Sequence, residues 1–311
     1  MMKVLFCGLG SMGARHLRNL SQVMAERQGE LVCHALRSTK RDLGEVVQKA
    51  LGKEIFSWDE ADAGYDCIFI TNPTALHYET LQRAVTHTKG IFMEKPVFFS
   101  GREDVSRLGL TPEHICYVAA PLRYTRIVQY LKDYLPGKRV YSLRAICSSY
   151  LPEWRPGTDW KKCYSANESM GGGVDIDLIH EWDYISYLFG LPEEVYSLHG
   201  RYSDVTVDSC DNALYIGAYS HMSVSLHLDY FGRSACREME IFMEDDVLKA
   251  DFIKGRISFL KSGTCIDLPQ ERDEMQKAEL RYFLSLTSEQ ENTNSIEHAM
   301  RVLRLARGMK Q

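Results

Sequence analysis

Three glycines spaced as Gly8, Gly10 and Gly13, in the stretch VLFCGLGSMGARHLRNL, carry the clearest chemical implication in this chain. GxGxxG is weak as a string, but here it follows an apolar run and opens a stretch of helical period. In that setting Gly8 permits a tight turn, Gly10 lets the backbone approach a pyrophosphate, and Gly13 lets helix and strand pack closely. Ser11 and Met12 then stand at a helix N-terminus, whose N–H groups and partial positive charge suit phosphates. A dinucleotide is the expected ligand. The second strand ends in HALRSTKRD, with Arg37, Ser38 and Lys40 where an acidic partner for the adenosine ribose is expected. A guanidinium and a hydroxyl suit a 2′-phosphate, so NADP is favoured over NAD; the alternative is a solvated basic loop.

Two further stretches could do chemistry. Asn72-Pro73 closes the third strand of the reading, and Glu94-Lys95-Pro96 closes the fourth, at the strand ends where open α/β sheets bind ligands. A lysine there can donate to a substrate oxygen, and Lys95-Pro96 is a candidate cis peptide. The segment 148–173, SSYLPEWRPGTDWKKCYSANESMGGG, is too long and too rich in aromatic and basic residues for an idle connector. Tyr150, Trp154, Trp160 and Tyr164 offer ring faces for a sugar, while Arg155, Lys161 and Lys162 suit a carboxylate or phosphate on it. The substrate class this suggests is an acidic sugar: a nonulosonate of the sialic-acid kind, a uronate or a nucleotide-linked sugar. The alternative is a loop packed by its own aromatics or set against a neighbouring subunit.

The elements that must position these groups follow from the apolar pattern. Over the first 120 residues, short apolar runs (KVLFCG, ELVCHAL, YDCIFITN, GIFMEKP, HICYVAA) alternate with helical stretches near 12–26, 42–51 and 75–86. Strict alternation implies right-handed crossovers and a parallel sheet. After Pro121 a helix near 125–134 leads into RVYSLRAICSSYL, and a helix near 177–189 precedes VYSLHGRYS, NALYIGAYS, SVSLHLDYF, MEIFME and RISFL. Strands in succession argue for a mostly antiparallel sheet, and helices near 274–287 and 295–306 close the chain. The expected fold is α/β, with a dinucleotide-binding domain over 1–120 and an α+β domain over 121–311.

Composition narrows the partners. A formal net charge of -5 and the absence of any Lys/Arg block leave no field for nucleic acid. No apolar run reaches membrane-spanning length, and the start reads as a strand rather than a signal peptide. Four of the nine cysteines (Cys7, Cys33, Cys67, Cys116) sit in apolar runs without CxxC spacing, which suits reduced thiols in a cytoplasmic protein. HExxH, EF-hand and GxSxG patterns are absent, so no metal is expected.

GLGSMG, TNPTALHYE with EKP, the Arg123-Tyr124 pair, GGGVDIDLIHEWDYISYLFG and EHAMRVLRLA together resemble the Gfo/Idh/MocA oxidoreductases over nearly the whole length. The resemblance implies a Rossmann domain and a second domain whose sheet covers the nicotinamide. It also implies hydride transfer at a secondary hydroxyl of a sugar, cyclitol or polyol. By this resemblance Lys95 contacts substrate and cofactor near the reacting carbon, and His180 serves as general acid/base. Asn72, Pro73, His77 and Glu94 fall with the cofactor, and Arg123 with the substrate. Loss of a hydride requires loss of the hydroxyl proton, so a base and a steadying cation make chemical sense. Many members have three residues between an aspartate and this histidine, whereas Asp177 and His180 have two; Asp183, at i+3, is the other candidate to orient the imidazole. The family also includes chemistry in which a held dinucleotide is recycled with no net redox, and a non-catalytic NADP sensor is the alternative from another class. A homodimer or homotetramer is expected.

Overall fold

The computed structural model describes residues 1–40 and 42–309, and it divides into two compact units. The first comprises Met1–Pro121 and Arg272–Met300; the second comprises Leu122–Glu271 and the chain from Arg301 onward.

In the first unit the apolar runs become β1 (Met2–Cys7), β2 (Leu31–Leu36), β3 (Leu51–Ile55), β4 (Cys67–Ile70), β5 (Gly90–Met93) and β6 (Ile115–Val118). Between them lie α1 (Ser11–Glu26), α2 (Glu45–Ala50) and α3 (His77–Ala84). The sheet is wholly parallel, in the order β3-β2-β1-β4-β5-β6, with Val4 facing both Cys33 and Cys67. Central strands such as CIFI are buried along their whole length, as expected where helices cover both faces. Phe6, Phe69 and Phe92 make an aromatic row through this core, the first two stacked at 4.5 Å.

The sequence reading ran a helix over 42–51 and passed over β3. This edge strand, LGKEI, has two exposed positions, Gly52 and Lys53, and no apolar run of its own, so only pairing with β2 reveals it. A second correction concerns the boundary. Residues 272–300, which a linear division at 120 assigns to the second domain, belong to the first unit. There Arg15 Nε donates to Asp273 at 2.7 Å, Arg281 meets Glu26 at 2.6 Å, and Asn294 exchanges hydrogen bonds with Val118.

The second unit begins with α4 (Arg126–Tyr134) and the long strand β7 (Val140–Tyr150). Next come α5 (Val174–Asp177), α6 (His180–Phe189), β8 (Glu194–Gly200), β9 (Asn212–Ala218) and β10 (Ser223–Asp229). The strands β11 (Phe231–Met243), β12 (Val247–Asp251), β13 (Arg256–Phe259) and β14 (Cys265–Asp267) complete the sheet. Beyond it, α7 (Glu274–Phe283) and α8 (Ile296–Ala306) follow in the chain. Strand order is β14-β13-β12-β11-β7-β10-β9-β8, antiparallel except for the β7–β10 pair. Burial alternates along β10, so one face is covered while the other is open. Trp182 and Tyr184 of α6 are fully buried, and Trp182 meets Tyr215 of β9 edge to face at 5.5 Å. The helix expected over 177–189 is two, parted at Leu178 and Ile179, with His180 opening the second.

Candidate functional site

The first unit builds its candidate phosphate cradle mainly from backbone. Gly8 has φ +96°, which L side chains rarely adopt, and a Cβ there would stand 2.8 Å from Asn72 Cα. A Cβ on Gly13 would lie 2.4 Å from the Gly8 carbonyl oxygen and 2.7 Å from Thr71 Oγ1. Thr71, which the sequence reading passed over, donates to that same carbonyl at 2.6 Å and so fixes the turn. Gly10 differs: a Cβ there would meet nothing of the protein within 4 Å. Its side therefore opens outward, at the start of a 16-residue helix with no side-chain cap and no acidic residue in the first turn. Exposed Ser11 and Met12 follow. An unguarded helix N-terminus beside an open glycine fits a dinucleotide pyrophosphate.

Behind the cradle, β5 delivers Glu94 and Lys95, and the Lys95-Pro96 bond is cis. Glu94 contacts buried His16 of α1, and its own Oε2 accepts from the Lys95 N–H at 3.2 Å. Burial pushes the Glu94 carboxyl up, but the hydrogen bond with His16 and the charges of His16, Lys95 and His77 outweigh it and hold it below the usual range. His77 is 1 % exposed, with Nδ1 3.1 Å from the Pro96 carbonyl oxygen and Nε2 3.1 Å from that of Asn72. Burial drives its pKa down against those carbonyls. His77 thus ties the Asn72-Pro73 turn to the Glu94-Lys95-Pro96 turn. Asn72 is held by Thr80 at 2.7 Å, while its Oδ1 is buried with no partner among the described residues.

Arg37 bears on the cofactor expectation. It is 5 % exposed and paired with Glu54 of β3, so its charge is already matched by a carboxylate from the strand that the sequence reading passed over. The premise for a 2′-phosphate was the Arg37 guanidinium together with the Ser38 hydroxyl, and this pairing engages the guanidinium through Nη1.

In the second unit, side chains rather than backbone make the arrangement. Asp177 accepts from Tyr230 at 2.6 Å through Oδ2 and from Tyr164 through Oδ1. Burial, and then Asp177, push the Tyr230 phenol far up, which keeps it a donor. Asp183 accepts two hydrogen bonds from Arg123, at 2.9 and 2.8 Å, and Arg123 is 1 % exposed and sits over the Tyr187 ring at 5.0 Å. Arg123 was expected at the substrate and Asp183 as one of two candidates to orient His180; to these expectations the structure adds a bidentate pair between Arg123 and Asp183. Glu181, fully buried, forms an ion pair with Arg237, its oxygen 2.7 Å from Nε, while the Arg237 N–H donates to Cys147 Sγ at 3.3 Å. Burial raises the Glu181 carboxyl against that cation.

The 148–173 segment is not structureless: it folds into four short 3-10 turns. Trp154 bonds Ser149 at 2.9 Å and meets the Tyr230 ring edge to face at 5.3 Å, and Tyr150 lies under the Arg233 guanidinium at 3.7 Å. Its aromatics thus pack in part against residues outside the segment, whereas Arg155, Lys161 and Lys162 are exposed, the last 3.5 Å from Asp159. The glycines closing the segment have a steric reason: a Cβ on Gly172 would stand 2.0 Å from the Tyr164 carbonyl oxygen. Tyr230 and Glu54 carried no signal in sequence, because each gains meaning only from a partner on another element.

Residues 2–111 match the family model described as "Oxidoreductase family, NAD-binding Rossmann fold". The chain is 28% identical over 201 residues to scyllo-inositol 2-dehydrogenase (NAD(+)) of Bacillus subtilis, covering 62% of this chain and 56% of that protein. It is 26% identical over 205 residues to 2,7-anhydro-N-acetylneuraminate hydratase of Mediterraneibacter gnavus, covering 60% and 50%. The chain therefore spans about half the length of these curated relatives. A solved levoglucosan dehydrogenase in complex with NADH superposes with a TM-score of 0.83 at 17% identity, over 99% of this chain and 95% of that one; at this identity the likeness is one of fold.

Proposed function

We propose, from this chain's place among the Gfo/Idh/MocA oxidoreductases, that it moves a hydride between a nicotinamide dinucleotide and a secondary hydroxyl of a sugar, polyol or sugar-derived acid. The observation that carries the reading is the first unit's cradle, where an open Gly10 and an uncapped helix N-terminus adjoin the Glu94-Lys95-Pro96 turn. Gly8, Gly10, Ser11, Met12 and Gly13 would hold the pyrophosphate, and the bound dinucleotide supplies the hydride acceptor or donor. Arg37 and Ser38 pointed to NADP; the Arg37–Glu54 pair favours NAD(H), because a 2′-phosphate would have to compete with a carboxylate already in place.

In this proposal Lys95 steadies the substrate oxygen and His180 exchanges the hydroxyl proton. Asp177, held by Tyr230 and Tyr164, is the carboxylate assigned to that imidazole. Exposed Arg155, Lys161 and Lys162 support an acidic sugar. A redox-neutral reaction on a recycled NAD(H) is the second reading, favoured by the relative that is named a hydratase. Exposed Tyr196, Leu198 and Ile216 on the β8–β9 pair support a homodimer or homotetramer.

The test is native mass spectrometry of the purified protein, identification of any released nucleotide, and turnover assays on neutral and acidic sugars. NADH binding tighter than NADPH is expected, and His180→Ala and Lys95→Ala should each lower the rate by about two to four orders of magnitude. Turnover unchanged in both variants would remove Lys95 and His180 from the chemistry, whereas dinucleotide binding without turnover of any sugar by the parent chain would leave a dinucleotide sensor.

A further inference from the structure

Three ligand-type side chains meet in the second unit, outside the residues assigned to catalysis. Asp175 stands on α5, His199 on β8 and Cys210 just before β9, and one ligand atom from each lies within 4.8 Å of the other two. Cys210 Sγ donates to Asp175 Oδ1 at 3.1 Å, so the thiol proton points along the line a cation would occupy. His199 Nε2 is buried and has no hydrogen-bond partner among the described residues, a costly state for an imidazole nitrogen that a ligand would relieve.

The surroundings fit the cluster. A Cβ on Gly173 would stand 2.4 Å from Asp175 Oδ1 and 3.2 Å from Cys210 Sγ, so only glycine leaves this space clear. Arg307 Nη1 holds the other carboxylate oxygen at 3.0 Å, which turns Oδ1 toward the thiol and the imidazole. Its positive charge disfavours a weakly bound hard cation, and calcium or magnesium would in any case want more oxygen ligands than one carboxylate supplies. A carboxylate, an imidazole and a thiolate suit zinc, with bonds of about 2.0–2.3 Å and therefore ligand atoms about 3–4 Å apart.

We propose that Asp175, His199 and Cys210 form a site for a zinc-type divalent cation, with the fourth position left to water. On binding, the Cys210 S–H bond breaks, its proton leaves to solvent and a sulfur–metal bond forms, with no change of oxidation state. The ion ties α5 to β8 and to the segment before β9. Because α5 runs through Leu178 and Ile179 into α6, it braces the backbone that carries Asp177 and His180. The site does not depend on the catalytic reading.

The test uses the whole chain. Metal-stripped protein is titrated with cobalt(II), then with zinc, and Cys210 alkylation is followed by peptide mass spectrometry with and without zinc. A thiolate-to-cobalt absorption band that zinc displaces is expected, together with zinc-dependent protection of Cys210 on the unaltered chain. Cys210→Ser and His199→Ala should each abolish the band. The proposal is overturned if Cys210 alkylates equally fast with and without zinc. It is equally overturned if the band survives in Cys210→Ser, which would place cobalt on another of the nine cysteines; the cluster would then be an ion pair with Arg307 and a hydrogen-bonded thiol.

Discussion

The two units solve the problem of placing polar groups in opposite ways. In the first, the surface proposed to face the ligand is main chain: glycines at 8, 10 and 13, a helix N-terminus, and a carbonyl locked by Thr71. In the second, buried carboxylates are held by side chains from distant parts of the chain, Asp183 by Arg123 and Asp177 by Tyr164 and Tyr230. A backbone site depends on the absence of side chains and tolerates little added volume. A side-chain network depends on complementary partners and tolerates no missing member, because an unpaired buried charge keeps its desolvation cost without compensation.

The largest effect should come from the network. Asp183→Ala strands the guanidinium of Arg123, which is 1 % exposed, and should cost about 3–5 kcal/mol of stability, read by urea denaturation. A loss below about 1 kcal/mol would mean that Arg123 finds another partner, and the contrast between the units would weaken.

The glycines separate space from ligand approach. Gly13→Ala forces a Cβ against the Gly8 carbonyl and should cost about 1–3 kcal/mol, whereas Gly10→Ala meets open space and should cost no more than about 1 kcal/mol, from its N-cap position. Gly10→Ala should nonetheless weaken dinucleotide binding, measured by calorimetry. Equal affinity in Gly10→Ala and the parent chain would remove Gly10 from the pyrophosphate site.

The smallest effect concerns acid. Glu94 has its folded pKa below its ordinary 4.5, so the folded chain binds fewer protons there than the unfolded one. Its contribution to stability is full above about 4.5 and is lost as pH falls through the folded value. Glu94→Gln should flatten that part of the acid limb while leaving the neutral-pH slope unchanged; an unaltered acid limb would show that the His16–Glu94 contact has no such linkage.

What could be read before folding was what depends on near neighbours. The alternation of apolar runs and helical stretches announced a parallel sheet, and the glycine spacing announced a turn and a helix start within six residues. The strand β3 was hidden because an edge strand with exposed polar residues needs no apolar run, and the return of 272–300 to the first unit was hidden because it rests on pairs such as Arg15–Asp273. Arg37 shows the same limit in a single residue. Its type and position pointed to a phosphate, but its partner Glu54 comes from the neighbouring strand.

The sequence by itself determined the local geometry of its strongly patterned stretches: which long apolar runs become strands, where a side chain is missing, and where a lysine follows a strand. Only the tertiary structure decided which charges are matched and which polar atoms are left without a partner. Burial and Coulomb energy depend on distances between residues far apart in the chain, and those distances do not exist until the chain has folded.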